Sequence, residues 1–136
     1  MAHRILSLDV GTKTIGVAVS DELGITANGI KTIRRKDIKS DLSELKGIID
    51  RFSPQEIVVG VPYNIDGSVS NRGKDIIAFS EKIKNEFSIP VVLWDESFST
   101  VYAEEKMLEA DMSRKKRKKR IDKMAAVIIL QEYLES

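Results

Sequence analysis

Four acids and one run of cations are the residues of this 136-residue chain whose types and spacing bear on chemistry: Asp9, the pair Asp95-Glu96, Asp122, and RKKRKKR at 114 to 120. Asp9 stands near the end of the apolar run ILSLDV. An ionised carboxylate in an apolar interior costs several kcal/mol unless a cation or hydrogen-bond donors compensate it. Gly11 and Gly16 follow, and strand glycines often mark the close approach of a ligand or another backbone. The alternative is that Asp9 caps a turn through its own backbone, and this stretch alone leaves both readings open.

Carboxylates gathered about 5 Å apart repel by roughly 3 kcal/mol per pair at an effective dielectric of about 20. Such a cluster persists only around cations. The chain has no cysteine and one histidine, His3 at its N-terminus, which excludes zinc–thiolate sites, cysteine nucleophiles and Ser/His catalysis. Oxygen ligation alone points to Mg²⁺ or Mn²⁺, and a pair of ions about 3.5–4 Å apart suits attack of water on a phosphodiester. The basic run fits such a substrate, because successive cations neutralise backbone phosphates with little regard to base sequence. Its plainer reading is a solvated loop.

The elements that must position these acids follow from periodicity. Residues 4 to 21 read as two apolar strands joined by the polar link Gly11-Thr12-Lys13, and residues 25 to 33 as a third, with Asn28-Gly29 inviting a bulge. From 36 to 52, Ile38, Leu42, Leu45, Ile49 and Phe52 fall on one helical face that Pro54 ends. EIVVGV at 56 to 61 is a buried strand, 71 to 87 a second helix, and 90 to 94 a last strand. Thr100 is read as the cap of a helix to Ala110, and Ile121 to Leu134 as a final helix, apolar on most sides.

Hairpin links make neighbours antiparallel and helical crossovers make them parallel. The expected architecture is therefore one α/β domain over residues 1–136, with a mixed five-stranded sheet in the order 3-2-1-4-5, strand 2 antiparallel, flanked by helices. Strands 1, 4 and 5 then end on one edge, bringing Asp9 to Asp95-Glu96. Asp122 shares a helical stripe with Ala125, Ile129 and Tyr133 and brings a third acid. As a mere first-turn acid it would complement the helix dipole, but its apolar neighbours favour convergence.

With 42% hydrophobic and 32% charged residues the chain reads as globular. No membrane span or signal peptide is legible, so a cytoplasmic protein is expected. Seven of its 22 basic residues sit in the basic run, leaving 15 against 21 acidic residues, a net of −6.

DVGTKTIGVAVSD at 9 to 21, VVGVPYNIDGS at 58 to 68, WDESFST at 94 to 100 and RKKRKKRIDKMAAVIILQEYL at 114 to 134 together resemble the YqgF (RuvX) family of ribonuclease H-like proteins. The resemblance implies a metal-dependent endonuclease that processes the 5′ end of precursor 16S rRNA in ribosome biogenesis, a family earlier assigned to Holliday junctions. Carried over by position, Asp9, Glu96 and Asp122 are the catalytic acids, holding two Mg²⁺ or Mn²⁺ ions. Gly11, Gly16, Gly67 and Ser68 shape the backbone around them. The expected nucleic-acid contacts are Lys13, Asn64, Arg72, Arg114, Lys115, Lys116, Arg117, Lys118, Lys119 and Arg120. The family usually places Arg after the Asp-Glu pair; here Ser97 stands there, which leaves any phosphate clamp to Arg72 or the basic run.

The implied partners are structured RNA, branched DNA or pre-ribosomal particles, with the protein a monomer or homodimer. Two other classes compete with this reading. Asp-x-Gly-Thr also resembles the phosphate loop of actin-like ATPases and sugar kinases, but those build a cleft between two related domains and this chain is expected to have one. The other class is a non-catalytic RNA-binding assembly factor, which only activity separates from a nuclease.

Overall fold

The computed structural model describes residues 4–95 and 114–136, with side chains for 4–95 and 124–136. Strand β1 (Ile5–Val10) turns directly into β2 (Thr14–Ser20), because Gly11 N–H donates to the Thr14 carbonyl at 2.7 Å and closes the link. A side chain at position 11 would put its Cβ 3.0 Å from that carbonyl oxygen. Any larger residue would have to push that carbonyl back by a few tenths of an ångström.

Strand β3 spans Ala27–Arg34, two residues later than expected at its start. Asp21 Oδ1 accepts from the N–H groups of Ile25 and Thr26 and draws both into the turn. The irregularity expected near Asn28-Gly29 is present: Val17 faces Lys31 while Ala18 faces Gly29, so Ile30 is the extra residue.

Helix α1 (Ile38–Phe52) is capped by Asp37, which accepts from Ser40 N–H, and ends at Ser53 in the left-handed region before Pro54. Strand β4 (Glu56–Val61), helix α2 (Asn71–Phe87) and strand β5 (Val91–Asp95) follow where the sequence places them. The sheet order is β3-β2-β1-β4-β5, with β1 antiparallel to β2 and parallel to β4. That is the expected ribonuclease H-like topology. The helix expected at 100–110 lies outside the described residues.

The last helix, α3, spans Arg114–Glu135. The basic run is therefore helical, where the sequence reading began the helix at Ile121. Lys and Arg are good helix formers and extend a helix past the part that packs. Apolar periodicity marks only that packed part.

The sheet has two unlike faces, set by the alternation of β side chains. Leu6, Leu8, Val10, Ile15, Val17, Ile57, Val59 and Val61 pack with Leu45, Ile48 and Ile49 of α1 and Ile76, Phe79 and Ile83 of α2 in the main core. The opposite face carries Ser7, Asp9, Gly16 and Ala18, and α3 lies on it through Ala126 and Leu130. One expected core position differs: Ile38 is 40% exposed, whereas Asp41, one turn on, is buried.

Candidate active site

Asp9 lies on the α3 face, at the C-terminal end of β1. Its antiparallel partner is Gly16. On the other side the β1–β4 register, Leu8 beside Val59, continues to set Asp9 beside Gly60, and Gly60 pairs with Trp94. The row across the sheet is thus Gly16, Asp9, Gly60, Trp94. At the positions beside it on the two neighbouring strands, half-buried Asp9 meets glycines. Gly60 was missed in the sequence, where its one signal is a glycine inside the otherwise apolar run IVVGV.

Helix α3 runs antiparallel to β1 over this face. Ser7 Oγ donates to the Ala126 carbonyl at 2.7 Å, and Tyr133 Oη donates to Glu56, the residue that pairs with Ile5. Trp94 closes the β5 side, edge-on to Tyr133 with ring centroids 5.4 Å apart, its Nε1–H donating to Glu132 at 3.3 Å. From Ser7 to Asp9 is about 7 Å along the strand. Stepping back one turn from Ala126 moves about 6 Å along the helix in the same direction and reaches position 122. The side chain of Asp122 lies outside the described residues, as does Glu96.

Asp95 pairs with Val61 and so belongs to the alternation of the α1/α2 face, opposite to Asp9. Of the two neighbouring acids, Asp95 therefore does not share the face of Asp9. Among the described residues no three His, Cys, Asp or Glu side chains form a metal-binding group. The donor chemistry at Asp9, a carboxylate flanked by two strand glycines, suits a hard divalent cation.

The turn after Asp9 is fixed from behind by Arg35. Its Nη1 donates to the Gly11 carbonyl at 2.8 Å and its backbone N–H donates to the Lys13 carbonyl at 2.8 Å. Its Nε donates to Asp41 at 3.0 Å, and Asp41 also accepts from Lys36 N–H. The guanidinium lies 4.9 Å over the Phe79 ring. This support was not read in the sequence, because an acid at the start of a helix reads as a dipole partner.

The loop after β4 opens at the same edge and is bonded largely to itself. Asn64 Nδ2 donates to Ser68 Oγ at 2.9 Å, and the hydroxyl and N–H of Ser68 both donate to Asp66. These bonds, the hydroxyl first, hold the Asp66 carboxyl below the ordinary carboxylate range. Gly67, at φ 85°, makes the turn possible. Asn64 and Ser68 are thus committed to loop shape. Arg72 is exposed in the first turn of α2 and lines a groove with Gly11 and Thr12, while Lys13 is exposed in the β1–β2 turn. The side chains of Arg114, Lys115, Lys116, Arg117, Lys118, Lys119 and Arg120 lie outside the described residues.

Residues 3–136 match the family model of RuvX, described as Holliday junction resolvase. A protein of Desulforamulus reducens named "Putative pre-16S rRNA nuclease" is 53% identical over 133 residues, 98% of this chain and 97% of that one. A protein of the same name from Clostridioides difficile is 55% identical over 132 residues, 97% of this chain and 94% of that one. Among solved structures, Thermus thermophilus RuvC in complex with a Holliday junction substrate superposes with a TM-score of 0.62 at 14% identity, covering 96% of this chain and 93% of that one. Fowlpox virus resolvase with Holliday junction DNA gives 0.59 at 19% identity, covering 97% of each. These structures share the fold.

Proposed function

The chain belongs to the RuvX family, and on that premise we propose that it is a metal-dependent endonuclease that cleaves the phosphodiester backbone of structured RNA, with the precursor of 16S ribosomal RNA as its substrate. The observation that carries this reading is the row Gly16, Asp9, Gly60 beneath α3. It sets an acid between two glycines at the C-terminal rim of a sheet, which packing alone does not call for. The choice of RNA rests on the names of relatives more than half identical over nearly their whole length.

Asp9, Glu96 and Asp122 are assigned as the acids that hold Mg²⁺ or Mn²⁺. When bound, such ions activate water and stabilise the leaving oxygen in phosphodiester hydrolysis. The chain supplies the rest. Asp9 is presented on a rigid strand, the Arg35 brace fixes the turn that follows it, and Ser7 holds α3 over the same face. The cations of residues 114–120 bind phosphates flanking the scissile one, without base specificity. Among the described residues no helix is long and apolar enough to cross a membrane, which accords with a cytoplasmic site of action.

Branched DNA is the second substrate to test, because the family is described as Holliday junction resolvase. Purified protein is incubated with precursor 16S rRNA and with a four-way DNA junction, each with and without Mn²⁺. Cleavage of the RNA only, abolished by Asp9→Asn with RNA affinity retained, is the expected result. Cleavage of the junction alone reassigns the substrate. Binding without any cleavage identifies an assembly factor.

A further inference from the structure

Behind the β1–β2 turn, on the α1/α2 side of the sheet, lies an open groove of about 550 Å³ whose floor is Arg35. The guanidinium is immobilised by Asp41, by the Gly11 carbonyl and by the Phe79 ring. Two of its five N–H donors are spent in those bonds, and the other three have no partner among the described residues. An arginine held this way loses little freedom on taking a ligand, and its planar fork matches phosphate oxygens.

Around this floor stand three exposed cations, Lys36 beside α1 and Arg72 and Lys82 on α2, none ion-paired among the described residues. Three carboxylates also line the groove. Asp41 is neutralised by Arg35, and Asp37 is turned to the α1 N-terminus, where it accepts from Ser40 N–H and Oγ. With Arg35 paired to Asp41, the cations Lys36, Arg72 and Lys82 stand against Asp37 and Asp75, and the lining keeps a net of one positive charge. The groove reaches Val10, Gly11 and Thr12, directly after Asp9. The β1–β2 turn is thus a shared rim, with the acid on one side and the cations on the other.

We propose that this groove is a second nucleic-acid subsite, binding backbone phosphates of the strand that crosses the β1–β2 turn to reach Asp9. The occupant follows from two things: the floor and walls present phosphate-type donors, and the groove is continuous with the edge that carries the acid. The placement of the strand at Asp9 rests on the nuclease reading; the binding of phosphates in the groove is measured separately. A role here for Arg72 also gives that residue the phosphate contact that Ser97 cannot make.

The test is anisotropy of a labelled single-stranded RNA, titrated in EDTA so that no cleavage occurs, at several salt concentrations. Lys36→Gln, Arg72→Gln and Lys82→Gln combined should weaken affinity roughly tenfold to a hundredfold and lower the salt slope by about 2, at close to 0.7 per phosphate contact on a single strand. Because the chain has no cysteine, Ala78→Cys in the groove carries a unique photo-cross-linker on an otherwise wild-type protein. It should cross-link RNA, whereas Asn85→Cys, exposed on the same helix outside the groove, should not. The cross-link decides if the triple variant folds poorly. Unchanged affinity and slope with no cross-link from position 78 overturn the subsite, and wild-type cleavage in the same preparation then leaves the nuclease reading standing. Cross-linking from position 78 with no cleavage of any substrate keeps the groove and removes the nuclease.

Discussion

The Ser7 hydroxyl donates to the Ala126 carbonyl at 2.7 Å, tying β1 to α3 across 119 residues of sequence. Both residues are buried, and the bond sits one pleat before Asp9 on the same face. It sets how closely α3 approaches the candidate acid, since the small side chains of Ala125, Ala126 and Ala18 permit contact that larger ones would forbid.

Ser7→Ala should therefore cost about 1 kcal/mol of stability, the usual worth of one hydrogen bond whose acceptor keeps its helical partner. Urea unfolding measures it. Cleavage should fall by more than the lost stability accounts for, because α3 is no longer pinned beside Asp9. A variant as stable and as active as the parent would show that the bond positions nothing.

Asp41→Ala removes the buried partner of Arg35, and Asp41 is only 2% exposed against 23% for Arg35. Breaking a buried pair costs about 3–5 kcal/mol, and the partial exposure of Arg35 places this one at about 3 kcal/mol or below. Chemical denaturation should show the loss. Asp41→Asn, which keeps the shape, should recover part of it. A loss below about 1 kcal/mol would mean that water already screens the pair.

Gly60→Val puts a branched side chain on the strand next to Asp9. Valine suits a strand, and circular dichroism checks that the fold is kept at this buried position. What should disappear is stabilisation by metal: a cation at about 100 times its Kd adds roughly 2.7 kcal/mol to a protein that binds it only when folded. Thermal melts with and without Mn²⁺ read this. Equal shifts in parent and variant would place the ion elsewhere.

Tyr133 gives the protein an alkaline limit. Its hydrogen bond to Glu56, then desolvation and the charge of that carboxylate, push the phenol pKa from 10.0 up to about 12. The folded phenol holds its proton more tightly than the unfolded one, so the stability it contributes is complete below pH 10 and is lost as pH rises toward 12. Tyr133→Phe should lower stability at neutral pH and flatten the decline above pH 10. Parallel stability curves for the two proteins would remove Tyr133 as the cause.

Strand order and the position of Asp9 were legible because alternation in ILSLDV and IVVGV states which residues face the core, and connection lengths state which strands are parallel. The start of α3 was not, since Arg114 to Arg120 pack no apolar stripe and helicity there leaves no periodic trace. Ile38, expected on the inward face, is exposed while Asp41 is buried, because Arg35 in the link before α1 draws the acid inward. Such a pairing depends on tertiary placement that hydropathy does not encode. Gly60 acquires meaning only once the register sets it beside Asp9.

Calorimetric titration of Mn²⁺ into the parent protein and into Asp9→Asn, Glu96→Gln and Asp122→Asn tests whether these acids act together. Each substitution removes a ligand from the same ions, so each should weaken binding by about tenfold or more, and Asp9→Asn with Asp122→Asn should weaken it by less than the two losses combined. Mn²⁺ binding to Asp122→Asn with the affinity and stoichiometry of the parent would contradict the shared site, and with it the assignment of Asp9 to phosphodiester hydrolysis.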